Sequence, residues 1–215
     1  MDSHLLFNSC LSDYYDGYGP ERYSHRLDIF TNVSNKNMFV ITNKCGCHTL
    51  FDVLPNHGYS LSVVFQHILD LSLSNNFILS KNNGYNKIFF IREPKERYIS
   101  GLMEYINIQK KNGRFDIIKI IDQLSQGKIV LDAHTLPQYF NSIPYLNDKN
   151  LLIYRFNEFA NRIKSTDKNI NHIPVVNSKN FDDKEYGKWL FNNFVDPELF
   201  NKVYKEDFEL YKKSK

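Results

Sequence analysis

The stretch MFVITNKCGCHTLFDVL, residues 38–54, decides the fold, because two apolar runs flank a short polar turn. Residues 38–42 form a continuous β-branched or aromatic run, which is typical of a buried strand. Thr49 to Leu54 begins a helix, and Pro55 ends or kinks it because proline lacks a backbone N–H. The pattern predicts a strand–loop–helix unit with Lys44 at the mouth of the loop.

The rest of the chain repeats this alternation of strands and helices. Lys87–Ile91 and Leu151–Tyr154 are apolar runs that predict two further buried strands. A first-turn proline, Pro94, predicts a helix from that residue onward, and Gly127 closes a helix predicted over Phe115–Leu124. Further helices are predicted over Ser60–Leu73, Phe156–Ile163, Asp183–Phe194 and Pro197–Val203. Strands that alternate with helices predict an α/β fold, a three-layer sandwich with a mostly parallel central sheet.

Length and composition limit the class of protein. The chain has 215 residues, of which 42% are hydrophobic, so we predict a single domain over residues 1–215. Residues 1–37 are expected to form an irregular N-terminal arm, because 12–37 are rich in turn-forming residues. A net charge of +3 is too mild to indicate a nucleic-acid-binding protein.

The cysteines and the apolar runs indicate a compartment. Cys10, Cys45 and Cys47 are the three cysteines, an odd number that fits a reduced, cytoplasmic compartment. The N-terminal residues have no basic region ahead of an apolar core, so we predict no signal peptide. No apolar run approaches the roughly 18 residues of a membrane span, so none is predicted.

The loop after the first strand has the residues of an anion site. Lys44 supplies a positive charge, Gly46 lets the backbone approach a ligand closely, and Thr49 adds a hydroxyl where a helix begins. The loop is not a Walker A motif, because there the lysine follows the last glycine and here it precedes Gly46. Taken alone, this loop also fits a tight turn with a solvated lysine.

A second charged stretch follows the next strand, in FFIREPKERYISGL, residues 89–102. Arg92 is the first residue after the apolar run, Ser100 lies in the helix that follows, and Arg97 lies between them. Ligands of parallel sheets bind at the carboxyl ends of strands, and arginine is the usual fork for a phosphate. Two strand-end sites of this kind suit a nucleotide with phosphates at both ends.

At these residues the chain resembles the PAPS-dependent sulfotransferases, which use 3′-phosphoadenosine 5′-phosphosulfate (PAPS) as sulfuryl donor. Lys44 to Leu50 resembles their 5′-phosphosulfate loop, and Arg92 to Ser100 resembles their 3′-phosphate motif, R-x-P-x-x-R-x-x-S. Shorter pieces resemble the Golgi-type carbohydrate sulfotransferases: His134 with Pro137-Gln138, Tyr154-Arg155-Phe156, HIPVVNSK at 172–179, and Tyr204 to Phe208. The chain departs from the family at His48, where a threonine or small residue is frequent, and the N-terminal anchor of the Golgi members is not expected here.

The resemblance implies a fold, a reaction and a donor site. It implies a P-loop-nucleotide-hydrolase-like sulfotransferase fold, and in-line transfer of a sulfuryl group from PAPS to a hydroxyl of a carbohydrate or similar acceptor, with no metal. The partners expected are PAPS and a small-molecule or glycan acceptor, not nucleic acid. Lys44 is the expected catalytic cation at the leaving phosphate. The expected donor-binding residues are Lys44, Cys45, Gly46, Cys47, His48, Thr49, Leu50, Arg92 and Ser100.

The acceptor hydroxyl also needs a general base. We predict His134 for this role, because it precedes Pro137-Gln138 in a loop-like stretch. The alternatives left open by the sequence are His48, His57, His67 and Glu104. Two other functions also stay open, a nucleotide-binding kinase-like phosphotransferase and a non-catalytic nucleotide-binding module of the same fold.

Overall fold

The computed structural model describes residues 9–11, 24–67, 84–142, 145–174 and 181–215. The described residues divide into two compact units. The first unit is formed by those within Met1–Tyr23, Glu93–Pro137 and Ser178–Phe208, and the second by those within Ser24–Arg92, Gln138–Asn177 and Glu209–Lys215. The prediction of one domain over residues 1–215 stays a prediction.

The described chain contains five strands and eight helices. The strands are β1 (Ser24–Asn32), β2 (Asn37–Val40), β3 (Ser60–His67), β4 (Asn86–Ile91) and β5 (Leu151–Arg155). The helices are α1 (Cys47–Val53), α2 (Pro94–Lys111), α3 (Ile117–Ser125), α4 (Tyr139–Ser142), α5 (Phe159–Thr166), α6 (Phe181–Phe194), α7 (Pro197–Val203) and α8 (Lys205–Lys213). Short 3₁₀ turns extend α1 over Leu54–His57 and precede α5 over Phe156–Glu158. The α/β class and the helices predicted after Pro94 are confirmed.

The second unit contains a sheet that, among the described residues, has five strands in the order β3-β1-β2-β4-β5. β2, β4 and β5 pair in parallel, whereas β1 is antiparallel to both of its neighbours. The sheet is therefore mixed rather than mostly parallel. The three-layer arrangement and the sulfotransferase fold stay predictions.

Both faces of the central strands β2 and β4 carry buried side chains, since alternate side chains of a strand point to opposite faces. On one face Phe39 and Phe90 pack against Phe159 and other residues of α1 and α5. On the other face Met38 and Phe89 pack in a cluster with residues that include Tyr145 and Leu210. A strand buried on both faces reads as a nearly continuous apolar run, which is why Met38–Val40 of β2 and Ile88–Ile91 of β4 are visible in the sequence.

Two predictions about the first part of the chain were wrong. Ser24–Asn32, assigned to an irregular arm, is strand β1, and Ser60–His67, assigned to a helix, is strand β3. The two strands pair over eight registered positions, and Leu61 and Val63, two residues apart, are both exposed. An apolar pattern this short fits helical and strand periods alike, and the pairing with β1 decides it. Residues 68–73 of the predicted helix lie outside the described residues.

The first unit is built on helices. α2 begins at Pro94, and the side chain of Glu93 accepts a hydrogen bond from the N–H of Glu96, which caps that helix. α2 packs against α6, where Gly187 lies close to Met103 of α2. Tyr98 of α2 is buried among aromatic rings of α6 and α7 and the residue that follows α7, namely Phe191, Phe200 and Tyr204. In the described part of the chain no helix is long and apolar enough to span a membrane.

Candidate functional site

Lys44 and Arg92 follow neighbouring parallel strands of the second unit. β2 ends at Val40, four residues before Lys44, and β4 ends at Ile91, immediately before Arg92. The two strands pair in parallel from Asn37 with Asn86 onward, so their carboxyl ends meet at one edge of the sheet. Such edges are where α/β proteins bind ligands. The structure therefore places both predicted phosphate-binding loops at one sheet edge.

The backbone of the first loop has an unusual conformation. Lys44 has φ 66°, in the left-handed region that side chains other than glycine adopt rarely, and Gly46 has φ 78°. A Cβ on Gly46 would lie 2.6 Å from the ring of Phe159 and 3.1 Å from that of Phe156. Glycine is thus required at position 46, both for its backbone angle and for the close approach of these rings.

The other side chains of this loop differ in exposure. Cys45 and Leu50 are in the apolar core of the second unit, at 1% and 2% exposure. Thr49 is also buried, Cys47 is half-buried and His48 is exposed. The side chains of Cys45 and Leu50 are closed to solvent, and their backbone N–H groups donate to the carbonyls of Thr42 and Gly46. His48, by contrast, is exposed.

The buried side chain of Gln138 joins the two loops. Its Oε1 accepts the N–H of Arg92 at 2.9 Å and its Nε2 donates to the carbonyl of Arg92 at 2.9 Å. The thiol of Cys45 also donates to Oε1, at 3.2 Å. One amide group therefore contacts a residue in each of the two loops.

Two further contacts fix the same sheet edge. Asn141 of α4 donates to the carbonyl of Ile41, just beyond β2, at 2.9 Å. The guanidinium of Arg92 lies 5.8 Å from the ring centre of Phe156, within the range of a cation–π contact. The segment from Gln138 to α4 thus forms hydrogen bonds just beyond the ends of both β2, at Ile41, and β4, at Arg92.

His134, the predicted base, lies in the first unit beside an acidic partner. Its Nδ1 is 2.8 Å from Oδ2 of Asp132, and its backbone N–H donates to Oδ1 of the same carboxylate at 2.8 Å. The side chain of His134 is 28% exposed. A carboxylate in this position holds one tautomer, with the proton on Nδ1 and the lone pair on Nε2. The arrangement suits a general base that accepts a proton at Nε2.

The loop that contains His134 is held from several sides within the first unit. Arg97, buried in α2, donates to the carbonyl of Leu136, and the hydroxyl of Tyr204 donates to the carbonyl of Thr135. Gly101 of α2 lies so close that a Cβ there would overlap the carbonyl oxygen of His134. The second arginine of the R-x-P-x-x-R-x-x-S motif is therefore directed into the protein and supports this loop.

The remaining candidates are distributed over both units. Ser100 and Glu104 lie in α2 of the first unit, four residues apart and so on one face of that helix. His57 ends the 3₁₀ turn after α1 in the second unit and is half-buried, and its carbonyl accepts a hydrogen bond from Asn32 at 3.1 Å. The side chain of His67 lies outside the described residues, as do positions 175–179 of the HIPVVNSK piece.

Sequence reasoning missed three contributors to these sites. Gln138 and Arg97 lie in motifs that predict no role for them, and the sequence analysis predicts no role for Asp132. The spacing Asp-x-His at 132–134 was an available signal, because a short acidic turn before a histidine brings its carboxylate near the ring. The contacts of Gln138 and Arg97 join residues 39 to 93 positions apart, and no local pattern indicates them.

Comparisons with known proteins assign no family. No protein-family model matches the chain, and no solved structure matches it. A 2-oxoglutarate dehydrogenase E1 component of Staphylococcus epidermidis is 27% identical over 187 residues, which cover 82% of this chain. The chain spans 18% of the length of that relative. This likeness is too low and too partial to bear on the activity of the chain.

Proposed function

We propose that this protein is a PAPS-dependent sulfotransferase of the sulfotransferase fold, which transfers a sulfuryl group to a hydroxyl of a carbohydrate or similar acceptor. The observation that carries the proposal is the pair of strand-end loops with Lys44 and Arg92, which follow adjacent parallel strands and are joined by Gln138. The motifs of the two loops resemble the donor-binding motifs of that family. Geometry and sequence pattern thus support the same function.

Each loop has a role toward the donor in this proposal. The backbone N–H groups around Gly46 bind the 5′-phosphosulfate, since left-handed turns of this kind direct successive N–H groups toward an anion. Arg92 and Ser100 bind the 3′-phosphate, with arginine as a two-pronged donor. A donor site with two separate phosphate-binding loops discriminates PAPS from nucleotides that lack a 3′-phosphate.

The reaction is an in-line displacement at sulfur. The acceptor oxygen forms a bond to sulfur while the bond between sulfur and the bridging 5′-phosphate oxygen breaks. Negative charge accumulates on that bridging oxygen, and the ammonium of Lys44 stabilises it. The products are the sulfate ester and adenosine 3′,5′-bisphosphate.

His134 removes the proton of the acceptor hydroxyl. Asp132 acts as a positioning residue, because it holds Nδ1 and orients the ring without contacting the acceptor. The hydroxyl proton passes to Nε2, and the resulting imidazolium is stabilised by the carboxylate. His48, His57, His67 and Glu104 stay alternatives that a His134→Ala variant tests.

Nucleotide binding tests the proposal. Adenosine 3′,5′-bisphosphate should raise the melting temperature clearly more than AMP or ATP, because it alone of the three fills both phosphate sites. Differential scanning fluorimetry with matched ligand concentrations measures the shifts. Equal shifts for the three nucleotides would contradict the proposal, and a larger shift with ATP would favour a kinase-like phosphotransferase.

An arginine variant assigns the 3′-phosphate site. Arg92→Ala should weaken binding of the bisphosphate by about 2–5 kcal/mol, the cost of losing a desolvated charged partner, and leave AMP binding nearly unchanged. Arg26→Ala is the matched control, because Arg26 lies in β1 and its side chain is 54% exposed in a pair with Asp28. If Arg92→Ala weakens AMP and bisphosphate binding equally, Arg92 is a structural residue.

A further inference from the structure

Gln138 is completely buried, and its amide forms a reciprocal pair with one residue of the chain. Oε1 and Nε2 bind the N–H and the carbonyl of Arg92, each at 2.9 Å, as a neighbouring strand would. The orientation of the amide is fixed, because a backbone N–H only donates and a carbonyl only accepts. The Cys45 thiol, 3.2 Å from Oε1, must therefore be the donor in its contact.

We infer that Gln138 is a positioning residue that sets the spacing between the 5′-phosphosulfate loop and the 3′-phosphate loop. The inference rests on the proposed function. It makes Gln138, which contacts neither phosphate, responsible for the preference of the site for a nucleotide with both phosphates. Without the Gln138 side chain, its three hydrogen bonds are lost, two with the backbone of Arg92 and one with the thiol of Cys45.

The physical reason is preorganisation. A ligand with two phosphates gains its full affinity only if both loops are already at the separation of those phosphates. Gln138 immediately precedes α4, and Asn141 of α4 donates a hydrogen bond to the carbonyl of Ile41 beyond β2. The segment that carries the amide is therefore bonded to the ends of both β2 and β4. A ligand with one phosphate needs only one loop, and its binding does not depend on the spacing.

A purely structural role for Gln138 predicts a different outcome. If the amide only stabilised the fold, its loss would lower the free energy of unfolding and weaken every nucleotide to the same extent. The inference instead predicts a selective loss. The quantity to measure is the ratio of two dissociation constants, that of a monophosphate divided by that of the bisphosphate.

Gln138→Met is the decisive variant, because methionine has nearly the shape of glutamine and neither donates nor accepts as an amide does. Isothermal titration with adenosine 3′,5′-bisphosphate, 5′-AMP and 3′-AMP gives the three dissociation constants. We expect the ratio to fall by about tenfold, through weaker bisphosphate binding, since the three hydrogen bonds of the amide to Arg92 and Cys45 are lost. Gln123→Met is the control, a buried glutamine of α3 whose Oε1 has no partner among the described residues.

The outcomes separate this inference from the proposed function. Wild-type protein that binds the bisphosphate no better than 5′-AMP overturns both. A wild-type preference that Gln138→Met retains, or an equal loss for all three nucleotides, overturns the role of Gln138 and leaves the sulfotransferase proposal intact. If circular dichroism shows that Gln138→Met is unfolded, Gln138→Asn replaces it, because its amide is one methylene too short to span both loops and the same fall in the ratio is expected.

Discussion

Asp132 binds His134 twice, with Oδ2 at 2.8 Å from the ring Nδ1 and Oδ1 at 2.8 Å from the backbone N–H. The first contact orients the imidazole, and the second closes the turn that brings the two residues together. Because separate oxygens of Asp132 make the two contacts, a substitution can remove the contact with the ring and keep the contact with the backbone. The role of Asp132 in orienting His134 can therefore be tested.

Asp132→Asn should abolish most turnover without unfolding the protein. The Asn Oδ1 still accepts the backbone N–H of His134, but an amide NH₂ in place of Oδ2 cannot accept the ring proton. His134 is then held in the wrong tautomer, and we expect the sulfation rate to fall about 10²–10⁴-fold. Steady-state rates and bisphosphate titration measure the two effects, and bisphosphate affinity should be unchanged.

Asp116→Asn is the control for that exchange. Asp116 caps α3 in the same way, because its Oδ1 accepts the N–H groups of Ile118 and Lys119. Its replacement should leave the rate at the wild-type value. An Asp132→Asn protein with full turnover would contradict the positioning role of Asp132.

Gly101→Ala should destabilise the protein, against the usual trend. Alanine in a helix interior is normally favoured over glycine by about 1 kcal/mol, but here its Cβ would overlap the carbonyl oxygen of His134. We expect a loss of about 1–3 kcal/mol, as for other overpacked sites, together with lower turnover, because the His134 loop must move. Urea unfolding and rate assays measure both.

Gly187→Ala is the comparison for Gly101→Ala. Its Cβ would lie 2.8 Å from Cγ of Met103 and 2.9 Å from Cγ2 of Ile99, side-chain atoms that can shift more readily than the backbone carbonyl of His134. We expect a smaller loss of stability than for Gly101→Ala and unchanged bisphosphate affinity. If the two alanine variants lose equal stability and keep equal turnover, the close approach of α2 to the His134 loop has no functional consequence.

Lys44→Gly should separate stability from activity. Lys44 has φ 66°, and glycine relieves a strain of about 1–2 kcal/mol there, while its greater freedom in the unfolded chain offsets about 0.5–1 kcal/mol. The free energy of unfolding should therefore change little. Turnover should fall about 10²–10³-fold, because the charge at the leaving phosphate is gone.

Lys36→Gly is the matched control for Lys44. Lys36 also has a positive φ, 53°, and lies in the turn between β1 and β2. It should show the same small change in unfolding free energy and full turnover. Thermal unfolding gives the stability of the two variants, and initial rates give their turnover. A fully active Lys44→Gly enzyme would refute the role of Lys44 at the leaving phosphate.

The ion pair between Lys87 and Asp148 predicts a pH dependence of stability. Burial acts to raise the pKa of Asp148, but the hydrogen bond from Lys87, the Asn150 N–H and the charges of Lys87 and Lys149 outweigh it, so the pKa lies below its ordinary value. A lowered carboxyl pKa contributes stability that is present above the unfolded-state pKa of about 3.9 and is lost as the pH falls through the folded-state pKa.

Asp148→Asn should therefore cost stability at neutral pH and little in acid. Lys87 is buried, with its Nζ 2.6 Å from Asp148, so its uncompensated charge should cost about 3 kcal/mol at pH 7. Below about pH 4 the difference from wild type should shrink. Asp28→Asn, which breaks a surface pair with Arg26, should cost about 0–1 kcal/mol. A pH-independent difference would show that Asp148 acts through shape alone.

The sequence by itself determined the strand–loop–helix units and the charged residues in the loops that follow the strands. Met38–Val40 of β2 and Ile88–Ile91 of β4 are buried and apolar, and polar residues that include Lys44 and Arg92 follow these runs. Pro94 and the cap at Glu93 likewise mark the start of α2. These signals are local, because a run, a cap or a proline acts within a few residues of itself.

Only the tertiary structure decided which strands complete the sheet and what holds the loops. β1 and β3 were not predicted as strands, since short apolar runs become strands through their pairing with each other. Gln138 reaches Arg92 and Cys45 from 46 and 93 residues away, and the burial of Arg97 against Leu136 depends on how α2 packs. A contact between residues distant in sequence has no local signature, because it depends on the folded backbone bringing the two residues together.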